Sequence, residues 1–182
     1  MKDYKHLKEN IYSNPINLPH SGHKLVTCHY PLRIDTYSGC YHDCKYCYGK
    51  SVLQRVNAWS ARDIKVAKID DIKQKLEYFF NKDPLEDSIA KALQNKVPVR
   101  LGAQTDCFQP KEREHRITYE LIKYLNSIDY PYLIVTKSDL ISEPEYLGVL
   151  RNDLAYVQMT ITTLDEEKIS ALEPNAPPAK KR

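Results

Sequence analysis

Apolar residues recur along this chain in two rhythms. Ile69, Ile72, Leu76 and Phe79 or Phe80 return at spacings of three and four, as do Ile117, Leu121, Leu125 and Ile128, and each set lays one apolar stripe along a helix. Pro84 stands just past the first of these helices, and Ile89 with Leu93 predicts a second short helical piece. Residues 97–102, "VPVRLG", read as a strand, with Pro98 tolerable near its start. Residues 132–136, "YLIVT", are almost continuously apolar, as a strand covered on both faces of a parallel sheet must be. Residues 33–40, "RIDTYSGC", are strand-like and end at a turn glycine, Gly39. A short helix is predicted over 143–151, a strand over 155–162, and a further helix from Asp165 with acids in its first turn.

The order is βαβαβαβα. Strands alternating with helices predict an α/β fold whose parallel sheet, joined by right-handed crossovers, is left open or closed into a barrel, with active residues at the carboxyl ends of the strands. In the last strand Val157, Met159 and Ile161 alternate with Gln158, Thr160 and Thr162, so one face lines something polar; the alternative is an edge strand facing water. Residues 1–32 are polar, hold Pro15, Pro19 and Pro31, and show no period, which predicts an irregular lead-in. Residues 33–174 then form the folded βα unit, and 175–182, ending in "KKR", a solvated polar tail.

Composition narrows the class. With 182 residues and 42% hydrophobic content, one domain with a real core is expected. The net charge of +3 is too small to argue for nucleic acid by electrostatics alone. No apolar run approaches the roughly 18 residues of a membrane span, and "MKDYKHLKEN" lacks the apolar core of a secretory signal, so the expectation is a cytoplasmic protein without membrane contact. Five cysteines, an odd number with three crowded together, suit thiols kept reduced for metal or catalysis better than a disulfide framework.

Those three, Cys40, Cys44 and Cys47, are spaced C-x3-C-x2-C at the end of the first strand, with Tyr46 directly before the third. Three thiolates on a short loop can each bind one iron of a 4Fe–4S cluster and leave the fourth iron open to a substrate. Zinc is the alternative, with His42, His29, Cys28 or Cys107 as fourth ligand. Structural zinc sites usually come as two separated pairs, and the second pair is missing here.

The stretch "CYHDCKYC" resembles the signature loop of the radical S-adenosylmethionine (radical SAM) enzymes. The blocks "YSGCYHDCKYCYGK", "LGAQTDCFQPKEREHRIT", "IVTKSDLI", "MTITTLDEE" and "LEPNAPP" follow in order from Tyr37 to Pro178. They look like the subgroup related to spore photoproduct lyase, often described as DNA repair photolyase-like. The resemblance implies a partial (β/α) barrel, a 4Fe–4S cluster on Cys40, Cys44 and Cys47, and S-adenosylmethionine bound to the open iron. One electron would split SAM's sulfonium into methionine and a 5′-deoxyadenosyl radical that abstracts a hydrogen atom. A one-electron reductant such as flavodoxin or ferredoxin and a nucleic-acid substrate come with it as expected partners.

By the same resemblance Tyr46 contacts the adenine and Tyr48 packs against the cluster loop, plain packing being the alternative for both. Gln104, Thr105 and Asp106 position the methionine amine, although Asp106 equally suits a cap for the following helix region. Lys137 meets a carboxylate of SAM or substrate, or is a solvated loop lysine. Thr160 and Thr162 bind the ribose. Cys107 is placed as hydrogen-atom donor, against the more ordinary reading of a buried small hydrophobe. It stands after the Thr-Asp pair, where the family position is before it. Cys28 is read as structural, His42 as a spacer, and the run from Glu112 to Arg116 as solvated helix surface whose basic members would approach a phosphate if the substrate is nucleic acid. Radical SAM barrels have six strands and about four are counted here, which predicts a fragment of a longer barrel or a half-barrel completed by a partner.

Overall fold

The computed structural model describes residues 16–17, 32–55 and 59–182. Its described strands are β1 (Ile16–Asn17), β2 (Arg33–Ile34), β3 (Tyr37–Ser38), β4 (Lys65–Val66), β5 (Val99–Leu101), β6 (Tyr132–Thr136) and β7 (Ala155–Met159). The helices are α1 (Tyr48–Gln54), α2 (Ile69–Phe80), α3 (Ser88–Gln94), α4 (Lys111–His115), α5 (Ile117–Ser127), α6 (Pro144–Val149) and α7 (Glu166–Leu172). The main sheet runs β1-β2-β5-β6-β7, with β2, β5, β6 and β7 parallel and β1 antiparallel on β2; β3 and β4 form a separate antiparallel ribbon. This is the α/β architecture that the alternation of periods predicts.

The two long apolar stripes become the core. α2 buries Ile72, Leu76 and Phe79, and α5 buries Leu121, Ile122 and Leu125, against Ile34, Val99, Leu101, Tyr132 and Ile134 of the sheet. Removing each such side chain from water contributes about 1.5–3 kcal/mol, which is why the stripes dictate the fold. Ile89 and Leu93 sit on α3, whose start is fixed by Asp87 accepting the N–H groups of Ile89 (2.8 Å) and Ala90 (3.2 Å). Pro144 opens α6, where its missing N–H costs nothing.

Four expectations are corrected. The strand foreseen over 33–40 breaks after Ile34, because the buried Asp35 carboxylate turns to accept the N–H groups of Gln104 (2.8 Å) and Thr105 (3.2 Å), and the chain restarts as β3 paired with β4. The strand foreseen over 155–162 ends at Met159, and Thr160 adds one last N–H bond to Thr136 O at 2.9 Å. β7 is the edge of the sheet, and Val157 on its helix side is 46% exposed, so the alternation reflects an edge strand. The run from Glu112 to Arg116 is not wholly solvated: Glu112 is buried, accepting bonds from Tyr37 Oη (2.5 Å) and from the N–H groups of Thr118 (2.9 Å) and Tyr119 (2.8 Å).

The fourth concerns residues 175–182. This segment is docked: Ala179 is buried and the Arg182 side chain has no exposure, held by Glu173 at 2.6 Å and by the carbonyls of Pro177 (2.8 Å) and Thr160 (3.1 Å). Of the expected lead-in, only Ile16–Asn17 lies within the described residues, as β1; Cys28 lies outside them.

Candidate functional site

The cysteine loop leaves β3 at Gly39, whose φ of +96° and close approach to Ser60 exclude any side chain; an ideal Cβ there would stand 2.1 Å from Ser60 O. Cys40 N–H then bonds Ser60 O at 3.1 Å. Two tight turns follow, Asp43 N–H to Cys40 O (3.3 Å) and Cys47 N–H to Cys44 O (3.2 Å), so the spacing of the cysteines is the spacing of the turns. Cys47 caps α1, its sulfur accepting Lys50 N–H at 3.3 Å, and Lys50 Nζ closes the loop on Asp43 at 2.6 Å. At Gly49 the helix lies directly on the end of β5, where a Cβ would meet Gln104 O at 2.1 Å. The loop is thereby fixed to the carboxyl ends of the strands.

Cys40, Cys44, Cys47 and Cys107 are all free thiols. Burial, helped by the charge of Asp106, pushes the Cys40 thiol up, while the backbone N–H groups of Asp106 and His42 act on its sulfur in the opposite sense. Cys44 is pushed up to about 11, first by burial and against the pull of the Lys137 ammonium, with Glu173 and Cys47 adding to the rise. Three reduced thiols on one loop, with N–H donors at one sulfur, match a 4Fe–4S cluster in donor type and loop position. Among the described residues no three His, Cys, Asp or Glu side chains converge into a ready metal cage.

Behind the loop, Asp106 joins three segments. Its carboxylate accepts Thr136 Oγ1 (2.6 Å), Lys137 N–H (2.7 Å) and Phe108 N–H (2.9 Å), and faces His42 Nε2 at 3.3 Å. His42, expected as a spacer, is buried and also meets Asn175 O through Nδ1 at 3.3 Å. Thr105 is buried with its hydroxyl on Tyr37 O at 2.8 Å, and Gln104 is half-buried at the end of β5.

In front, Lys137 Nζ lies 5.7 Å from the centre of the Tyr46 ring. The Tyr46 hydroxyl donates to Glu173 and meets Thr162 Oγ1 at 2.8 Å, and Thr162 donates to the same Glu173 oxygen at 2.6 Å. The structure thus gathers Cys40, Cys44, Cys47, Tyr46, Lys137, Thr162, Gln104, Thr105 and Asp106 around one end of the sheet. Tyr48 does not pack on the loop as expected: at the first position of α1 it points outward, 69% exposed. Thr160 is half-buried after β7 and offers its carbonyl to Arg182. Cys107 belongs to the apolar core on the helix side, fully buried, which matches the small-hydrophobe alternative.

The architecture has solved counterparts. A spore photoproduct lyase variant with bound AdoMet and dinucleoside spore photoproduct superposes with a TM-score of 0.61 at 20% identity, over 86% of this chain and 41% of that one. The chain shares the fold of part of spore photoproduct lyase. A spore photoproduct lyase complexed with dinucleoside spore photoproduct gives a TM-score of 0.60 at 17% identity, over 93% of this chain and 43% of that one. Among curated proteins, an uncharacterized protein, ORF301, of Acidianus two-tailed virus is 24% identical over 147 residues, 79% of this chain and 46% of that protein. The chain therefore spans less than half the length of these relatives. No family model matches the chain. No helix among the described residues is long and apolar enough to cross a membrane.

Within this lyase-like fold the sequence reading missed Glu173, Arg182, Asp35 and His42. Glu173 lies in the block "LEPNAPP" and meets Tyr46 from 127 residues away, so spacing carried no signal of the contact. Burial alone would raise its carboxyl, but bonds from Thr162, Tyr46 and Arg182 outweigh that and hold it below the usual range.

Proposed function

We propose that this chain carries a 4Fe–4S cluster on Cys40, Cys44 and Cys47 and forms the cluster-bearing part of a radical SAM enzyme of the spore photoproduct lyase kind, with nucleic acid as substrate class. When bound, the cluster supplies the one electron that splits SAM's sulfonium, yielding a 5′-deoxyadenosyl radical for hydrogen-atom abstraction. The observation that carries this reading is the C-x3-C-x2-C loop of free thiols, fastened at the carboxyl ends of parallel strands in a spore photoproduct lyase-like fold.

In this reading the chain's own residues orient and shield. Tyr46, restrained by Glu173 and Thr162, presents its ring beside the loop as a platform for adenine, and Lys137 next to it offers an ammonium to a carboxylate. Gln104, at the end of β5, and Thr105 serve the methionine amine. Asp106 spends its oxygens on Thr136, Lys137, Phe108 and His42, so its part is to hold the loop and the ends of β5 and β6 in one arrangement. Thr162 and Thr160 are the ribose candidates, and Tyr48, exposed beside the loop, is free to meet a ligand. A flavodoxin- or ferredoxin-type protein is the expected electron source.

Protein purified without oxygen and reconstituted with iron and sulfide is expected to hold about four of each per chain. The electron paramagnetic resonance signal of the reduced protein should change on adding SAM, and Cys44→Ala should lose both iron and signal. Stoichiometric zinc without iron or sulfide would contradict the reading.

A further inference from the structure

The strand register lines up four residues across the sheet. Arg33 of β2 lies beside Arg100 of β5, Arg100 beside Leu133 of β6, and Leu133 beside Tyr156 of β7. In-register neighbours of parallel strands project to the same face, about 4.8 Å apart. Ile34, Leu101 and Ile134, the next positions on these strands, belong to the core under the helices, so the row lies on the opposite face.

That face holds unspent polar groups. Arg33 and Arg100 are half-buried, and the Nε of each is buried without a hydrogen-bond partner; neither makes an ion pair among the described residues. Asp35, two residues after Arg33, is fully buried, with Oδ1 taken by two N–H groups and Oδ2 unpartnered. Burial raises its carboxyl, against the pull of those N–H groups and of both arginines. A single carboxylate offsets at most one of two guanidinium charges. Buried polar groups in folded proteins are nearly always paired, so an unpaired pair of guanidinium Nε donors implies a missing acceptor. Side-by-side guanidinium forks fit the paired oxygens of an oxyanion.

The other end of the row decides which oxyanion. Tyr156 is 65% exposed, two strand spacings or about 10 Å from Arg100, with the buried Leu133 between them. An exposed ring beside a cationic pair is the combination that binds single-stranded nucleic acid, the ring stacking on a base and the cations meeting phosphate.

We propose that Arg33 and Arg100 form an oxyanion site on the face of the sheet away from the helices that takes a phosphodiester group of a nucleic-acid substrate, with Tyr156 stacking on a base of the same strand. This rests on the proposed function for the substrate class and adds to it the residues that bind.

Equilibrium binding of a labelled single-stranded oligothymidylate to the reconstituted chain, measured by fluorescence anisotropy over a range of salt, tests it. Arg33→Gln with Arg100→Gln should weaken binding at least ten-fold and flatten the salt dependence by about one or two phosphate contacts. Tyr156→Ala should weaken it several-fold and Tyr156→Phe should not. Arg33→Lys with Arg100→Lys, which keeps the charge, should fall between the wild type and the glutamine variant. Unchanged affinity and salt slope in a glutamine variant with wild-type thermal unfolding would overturn the proposal. If that variant fails to fold, wild-type binding by both the lysine variant and Tyr156→Ala would overturn it. Loss of SAM affinity with oligothymidylate binding intact would assign the oxyanion to SAM's carboxylate, which also refutes it. A wild type that binds oligothymidylate through these residues but never cleaves SAM would refute the enzymatic reading and support this site.

Discussion

Glu112 lies in a charged run that reads as helix surface, yet its carboxylate satisfies the Tyr37 hydroxyl and two N–H groups at the start of α5, and so ties the strand before the cysteine loop to the helix layer. Periodicity cannot single out one buried acid among four charged neighbours, because its burial depends on the hydroxyl of Tyr37, 75 residues away. Burial raises the Glu112 carboxyl, opposed by the bonds it accepts. A raised folded value means that this group's contribution to stability is fullest below the ordinary carboxylate range and declines as pH rises through the raised value. Glu112→Ala leaves three donors without an acceptor and should cost about 1–3 kcal/mol for each that stays buried. Urea unfolding at several pH values should show this loss, together with a weaker gain of stability on going from neutral pH toward about pH 4.5 than the wild type has.

At the scale of elements, α2, α5 and β6 were legible because burial alone specifies them: a stripe at spacings of three and four, or an unbroken apolar run. β3 and β4, two residues each, were not, since so short a ribbon has no period to read and exists through pairing with its partner. The docking of the C-terminal segment was equally hidden. Leu172 O accepts Lys45 N–H at 2.8 Å, Asn175 Nδ2 donates to Tyr41 O at 2.9 Å, and Glu173 holds Tyr46, so this segment clasps the cysteine loop from outside. The clasp depends on the Glu173–Arg182 pair, whose side chains have no exposure. Arg182→Ala should leave the Glu173 carboxylate buried without its cation and cost about 3–5 kcal/mol. Chemical denaturation measures that cost. An unchanged midpoint would mean that the segment merely lies on the loop.

Over the whole molecule, a mostly parallel sheet carries the cysteine loop at its carboxyl end and an arginine pair on the face away from the helices, in a fold shared with part of proteins more than twice as long. The sequence motifs located the cysteines, since their loop depends on local spacing. They did not reveal Arg33 and Arg100 as neighbours, because that pairing is set by sheet register across 67 positions of chain. What unites the molecule is the claim that the three thiols hold a redox cluster facing SAM. The most direct test is chromatographic detection of 5′-deoxyadenosine after anaerobic incubation of the reconstituted, dithionite-reduced chain with SAM. The account predicts 5′-deoxyadenosine that is absent with Cys44→Ala, whereas a wild type fully loaded with cluster that leaves SAM intact would contradict it.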